Sequence, residues 1–136
     1  MDEIVARQLL AAARVARLVT VTSQGHPHVV PCCFAVDGDL LYSAVDGKPK
    51  STPMLRRLAN LSANPRAALL VDHYEENWDQ LWWIRLDGIG RIAQSGPEQH
   101  HALDLLAAKY EQYRRERPAG EVIALDIDRW TWWSAT

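Results

Sequence analysis

Residues 28–45 read HVVPCCFAVDGDLLYSAV, and this stretch decides the fold class. Two apolar runs, His28 to Val36 and Leu40 to Val45, flank Asp37-Gly38, a dipeptide that favours tight hairpin turns. The pattern predicts one strand, a turn, and a second strand pairing back on the first. Upstream, Leu18 to Ser23 (LVTVTS) is rich in β-branched residues and Gln24-Gly25 follows as a turn, which predicts a preceding strand. Three strands joined by short turns are expected to form an antiparallel meander. Residues 2–15 carry Val5, Leu9, Ala12 and Ala13 at helical spacing, continuing to Ala16, so a helix is expected before the strands.

Downstream, residues 46–53 (DGKPKSTP) form a loop rich in turn residues. Met54, Leu55, Leu58 and Leu61 mark the helix it opens, with Thr52 as N-cap and Pro53 at the first helical position. Asn64-Pro65 ends that helix. Arg66 to Asp72 (RAALLVD) is predicted as a buried strand, followed by a polar, aromatic loop over residues 73–80. Leu81 to Ala93 (LWWIRLDGIGRIA) is a long strand whose alternation puts Trp83, Arg85 and Asp87 on one face and Trp82, Ile84 and Leu86 on the other. Gly88 and Gly90 suggest a bulge there. Ser95 to Glu98 fits a capping box, and Leu103, Leu106, Ala107, Tyr110 and Tyr113 mark one helix stripe. Glu121 to Ser134 is a last strand, bent near Asp128. About six strands and three helices give a mainly β (α+β) class, a six-stranded antiparallel barrel or sandwich with peripheral helices, as a single domain over residues 1–136.

Composition narrows the function classes. With 48% hydrophobic and 24% charged residues in 136, the chain has the apolar content to bury one core, which excludes a disordered tail. Fifteen Lys and Arg against seventeen Asp and Glu leave a formal charge of -2, which argues against broad electrostatic binding of nucleic acid. No apolar run approaches the ~20 residues that span a bilayer, and the acidic, amphipathic start MDEIVARQLL does not read as a signal peptide. The two cysteines, Cys32 and Cys33, are neighbours and poorly placed to bridge each other, so a reducing, cytoplasmic setting is expected. Of eleven aromatic residues six are Trp and one is Phe, a costly choice if the core were their only use.

Lys48, Lys50, Ser51 and Thr52 crowd a strand-to-helix junction, where free backbone N–H groups and the positive end of the helix dipole suit a phosphate. Arg56 and Arg57 lie one turn further in and can add bidentate contacts. A solvated loop followed by a basic helix face is the alternative reading. His26, His28, Cys32 and Cys33 invite a metal, yet adjacent cysteines on a strand point apart and His26 sits in a turn, so no metal site is expected. Pro31 removes a ladder donor and marks either a sheet edge or backbone facing a ligand. No nucleophile constellation is present, so any chemistry is expected to belong to a cofactor. The pairs Trp82-Trp83 and Trp132-Trp133 each set one ring outward, where a partner subunit or a flat ligand would cover it.

The stretch from Pro27 to Tyr74, with its KPK and NPRA elements, and the strand LWWIRLDGIGRI resemble the split-barrel flavoproteins related to pyridoxamine 5'-phosphate oxidase. Within them the chain is most similar to an actinobacterial branch associated with coenzyme F420. The resemblance implies a homodimer with a cofactor in each of two grooves at the subunit interface. It implies that Lys48, Lys50, Ser51, Thr52, Arg56 and Arg57 surround the cofactor phosphate, Arg57 standing where relatives carry a lysine. Val30, Pro31, Cys32, Tyr42 and Ser43 would line the ring. Trp83, Arg85, Trp130 and Trp132 would close the groove from either subunit, with Trp78 as a lid.

The function implied is hydride transfer between F420 and a small organic substrate. FMN is the alternative cofactor, since both share a ribityl phosphate. Arg14, Arg17 and Arg66 are candidates to meet the longer anionic tail of F420. Two other classes stay open: a non-catalytic flavin carrier or sensor, and a small barrel stacking single-stranded nucleic acid, against which the negative charge counts.

Overall fold

The computed structural model describes residues 1–45 and 52–136, with side chains throughout except at residues 52–55. The chain runs α1 (Glu3–Ala12), β1 (Ala16–Val21), β2 (Pro27–Cys32), β3 (Ala35–Asp37), β4 (Leu40–Ala44), α2 (Thr52–Ala63) and β5 (Arg66–His73). A short helical turn (Trp78–Gln80), β6 (Trp82–Ile92), α3 (Pro97–Lys109), α4 (Glu111–Arg115) and β7 (Val122–Ser134) follow. All strands join one seven-stranded antiparallel sheet in the order β2-β1-β5-β6-β7-β4-β3.

The expected hairpins form, with Gly25 and Gly38 at φ of +81° and +60° supplying the left-handed turn residues. The expected meander does not. The strand read from His28 to Val36 breaks at Cys33-Phe34, so that β2 and β3 lie at opposite edges of the sheet. Cys32 and Ala35 are three peptide steps apart, at most about 11 Å. The edges of a flat seven-stranded sheet would be about 29 Å apart. The sheet must therefore curl until its edges nearly meet, and a half-barrel results. The break is held by side chains: Ser43 Oγ donates to the Cys33 carbonyl at 2.7 Å, and the Phe34 N–H donates to Tyr110 Oη at 3.0 Å.

Inside the curl sit Leu18, Phe34, Leu41, Leu69, Ile84 and Leu125, all nearly inaccessible to solvent. α1 caps this core with Ala6 and Leu10, one residue out of register with the expected stripe; Val5 is 40% exposed. Asp2 caps α1 by accepting from the Val5 N–H at 2.9 Å. α3 covers the other side of β4 and β7 through Ala102, Leu103 and Leu106. The single stripe read across residues 103–113 is broken at Tyr110, which ends α3 and starts α4. Ser95 makes no cap; Glu98 instead accepts from the Gln94 N–H at 3.0 Å.

The predicted bulge is present: Asp87 pairs with Arg129 and Gly88 with Ile127, leaving Asp128 over. A Cβ on Gly88 would stand 2.1 Å from the Asp126 carbonyl oxygen, so only glycine lets the two strands approach here. No helix among the described residues is long and apolar enough to cross a membrane.

Candidate functional site

Lys48, Lys50 and Ser51 lie outside the described residues, as does the side chain of Thr52, whose backbone opens α2. The two arginines of that helix differ sharply. Arg56 is exposed, while Arg57 is 8% exposed and its Nε is buried without a hydrogen-bond partner among the described residues. Arg57 forms part of the wall of a cavity of about 180 Å³. The end of β2 supplies Pro31 and Cys32, the break after it supplies Cys33, and Val15, Ala44 and Tyr113 complete the lining. A buried guanidinium donor with no acceptor is costly, and an anion entering the cavity would satisfy it.

Two side-chain contacts hold Arg57 in that wall. One turn along α2, Asn60 Nδ2 donates to Thr20 Oγ1 at 3.0 Å, both residues being buried. Leu61 packs over Gly90 of β6, where no side chain intervenes. In the same lining, burial pushes the Cys32 thiol up to about 11, opposed in part by a Ser43 hydrogen bond and by the charges of Arg57 and Arg17. Cys32 is therefore a neutral thiol of the core edge at ordinary pH.

The structure brings some of the expected residues to this cavity and sends others elsewhere. Pro31 is at once on the edge strand and in the cavity wall, uniting the two meanings its sequence position left open. Val30 turns inward beside the barrel core. Ser43 is buried and acts on the wall indirectly, through the Cys33 carbonyl. Tyr42 faces away, packed with Ala102, Leu103 and Val122 under α3, and its hydroxyl donates to Glu98 at 3.3 Å. Arg91 grips the same Glu98 at 2.7 and 2.8 Å and holds its carboxyl down at about 2.

The four groove-closing candidates divide between two faces. Trp130 and Trp132 pair with Leu86 and Ile84 on the core side of the sheet. Their indole N–H groups donate to Asp39 Oδ1 at 3.1 Å and to the Met1 carbonyl at 3.2 Å, and Arg7 stacks over Trp130. Trp83 and Arg85 occupy the outer face, where Arg85 pairs with Asp87 at 3.0 Å. Trp78, the expected lid, is 65% exposed beside the short helical turn.

Of the tail candidates, Arg14 donates to the Lys109 carbonyl at 2.9 Å and Arg66 pairs with Asp128 at 2.6 Å. Arg17 stands exposed on the outer face, in one row with Pro31, Leu70 and Arg85. The cavity also includes Val15, Ala44 and Tyr113, none of which the sequence marked as a site residue. Only Tyr113 carried a signal, as an apolar position on a helix stripe.

Comparison with known proteins adds the following. The family model described as pyridoxamine 5'-phosphate oxidase matches residues 3–134. No curated protein matches the chain significantly. A conserved hypothetical protein from Mycobacterium tuberculosis superposes with a TM-score of 0.81 at 17% identity, over 99% of this chain and 86% of that one. A FAD-binding protein from Mesorhizobium loti superposes with a TM-score of 0.72 at 19% identity, covering 97% and 94%. The haem storage protein HutZ from Vibrio cholerae does so with a TM-score of 0.75 at 12% identity, covering 97% and 93%. At these identities the likeness to solved structures speaks for the fold alone.

Proposed function

Because the chain belongs to the pyridoxamine 5'-phosphate oxidase family, we propose that it is a flavin-type oxidoreductase, with coenzyme F420 as the leading cofactor and FMN as the alternative. The observation that carries this is the buried Arg57 Nε in the cavity wall, which has no hydrogen-bond partner among the described residues. A phosphate would supply an acceptor for this donor, and a guanidinium fork suits phosphate oxygens. The same cavity lies beside α2, whose first turn offers backbone N–H groups to an anion. Lys48, Lys50, Ser51 and Arg56 would complete that anion's surroundings. The superposable FAD-binding protein supports the flavin side of the proposal.

When bound, the cofactor supplies hydride exchange with a small organic substrate. The chain's own residues bind, orient and exclude water. Arg57 fixes the phosphate end. Pro31 offers apolar contact at the end of β2, and the Ser43 and Tyr110 hydrogen bonds keep the Cys33-Phe34 wall from yielding.

The cavity of about 180 Å³ is small beside the ~300–1,000 Å³ usual for a ligand site. A second copy of the chain would complete it. The outer sheet face is suited to that copy: Val19, Leu70 and Trp83 are half-buried there, and Val29 and Trp133 are 58% and 45% exposed. The proposal is thus a homodimer with the groove between subunits.

The test is a fluorescence titration of purified protein with F420 and with FMN, followed by an acceptor panel under reducing conditions. Binding of either below about millimolar is expected. Binding without hydride transfer to any acceptor would favour a carrier or sensor. Failure of both to bind would refute the proposal.

A further inference from the structure

The cavity holds a second chemical resource besides Arg57. Cys32 and Cys33 are adjacent in sequence but divided in space: Cys32 is 7% exposed and belongs to the barrel core, whereas Cys33 is half-buried and packs against the Tyr110-Tyr113 cluster. Two buried cationic nitrogens without hydrogen-bond partners among the described residues serve this region. One is Arg57 Nε, in the same cavity wall. The other is Lys109 Nζ, held 3.8 Å over the Phe34 ring and 5.3 Å from the Tyr110 ring centre. Burial lowers the Lys109 ammonium to about 8, with the nearby charge of Arg14 acting the same way.

We propose that Cys33 is a covalent modification site, taking small α,β-unsaturated carbonyl compounds that carry an anionic group and seat it on Arg57. The Cys33 sulfur forms a C–S bond to the β-carbon. The electron pair of the C=C bond moves toward the carbonyl, and the α-carbon collects the proton that the thiol gave up. Nothing leaves and nothing is oxidised or reduced. Cys33 is the thiol that reacts because Cys32 lies in the core with its proton held firmly. Only one part of this inference rests on the function proposed above: a cofactor phosphate on Arg57 would compete with the electrophile and shield Cys33.

The test compares N-maleoyl-β-alanine, a maleimide bearing a carboxylate, with neutral N-ethylmaleimide, read residue by residue by peptide mass spectrometry. Cys33 is expected to react about tenfold faster than Cys32 in the folded protein. The anionic reagent is expected to be favoured at Cys33 relative to the urea-unfolded chain. Arg57→Met should abolish that preference, and Arg57→Lys, which keeps the charge should the first variant not fold, should retain most of it. Inorganic phosphate should slow the reaction at Cys33. Equal labelling of the two cysteines, or a preference unchanged in Arg57→Met, would overturn the inference. FMN that binds without shielding Cys33 would also count against it. Selective, Arg57-dependent labelling in a protein that binds neither FMN nor F420 would uphold it and refute the cofactor instead.

Discussion

Asn60 Nδ2 donates to Thr20 Oγ1 across the α2–β1 contact at 3.0 Å, in a setting where both side chains are almost wholly buried. Asn60 lies three residues after Arg57, so the bond fixes the helix face that carries the buried guanidinium. Asn60→Ala leaves the Thr20 hydroxyl without its donor in a dry position and is expected to destabilise the protein by ~1–3 kcal/mol. Denaturant unfolding checks the loss. The double variant with Thr20→Val, which removes both partners, should recover part of it.

Gly88 and Gly90 are two residues apart on β6, yet alanine should be tolerated very differently at each. At Gly88 the new Cβ meets backbone, the Asp126 carbonyl oxygen at 2.1 Å, and the paired strands would have to part. At Gly90 it meets Leu61 Cδ2 at 2.5 Å, the movable end of a side chain. Gly88→Ala is expected to cost about 3 kcal/mol or prevent folding, and Gly90→Ala about 1 kcal/mol. Thermal melts of the two variants decide this.

These elements also show where the sequence was legible. The alternation in LWWIRLDGIGRIA gave the face of every residue from Trp82 to Asp87, and its glycines marked the bulge, because both are local properties of a strand. The break at Cys33-Phe34 was not legible. HVVPCCFAV is uniformly strand-like, and what holds its break is hydrogen bonding to Ser43, on the next strand but one, and to Tyr110, far along the chain. For the same reason Tyr42 read as a cavity residue: alternation separates it from Ser43 but does not say which face holds the site. Arg57 was marked by its place on a basic helix and by the family resemblance. Its burial, which sets it apart from Arg56, required the fold.

Lys109 carries a pH signature. Its ammonium titrates near 8 in the folded chain and at the ordinary, higher lysine value when unfolded, so unfolding takes up a proton between those limits. Stability is therefore expected to rise as pH increases from about 8 to about 10.5 and to be lower below that window. Lys109→Met removes the burial cost and should stabilise the protein at pH 7 by on the order of 1 kcal/mol. That figure is discounted for partial solvent screening and for the lost contact with Phe34. The advantage should shrink toward pH 10.5. Chemical denaturation across this range measures both.

The outer sheet face should control assembly. Val29→Glu with Trp133→Glu places charge where Val19, Leu70 and Trp83 would meet a second subunit, and neither residue contributes to the core. A wild-type dimer that becomes a folded monomer in sedimentation velocity is expected. A wild-type monomer would contradict the shared groove.

The central claim is that Arg57 binds the phosphate of a flavin-type cofactor, and the most direct measurement is cofactor affinity in Arg57→Met against wild type. Losing a charge-assisted contact of ~1.5–3 kcal/mol should weaken F420 or FMN binding by about ten- to a hundredfold, with circular dichroism unchanged. Wild-type affinity in a folded Arg57→Met variant would contradict the claim.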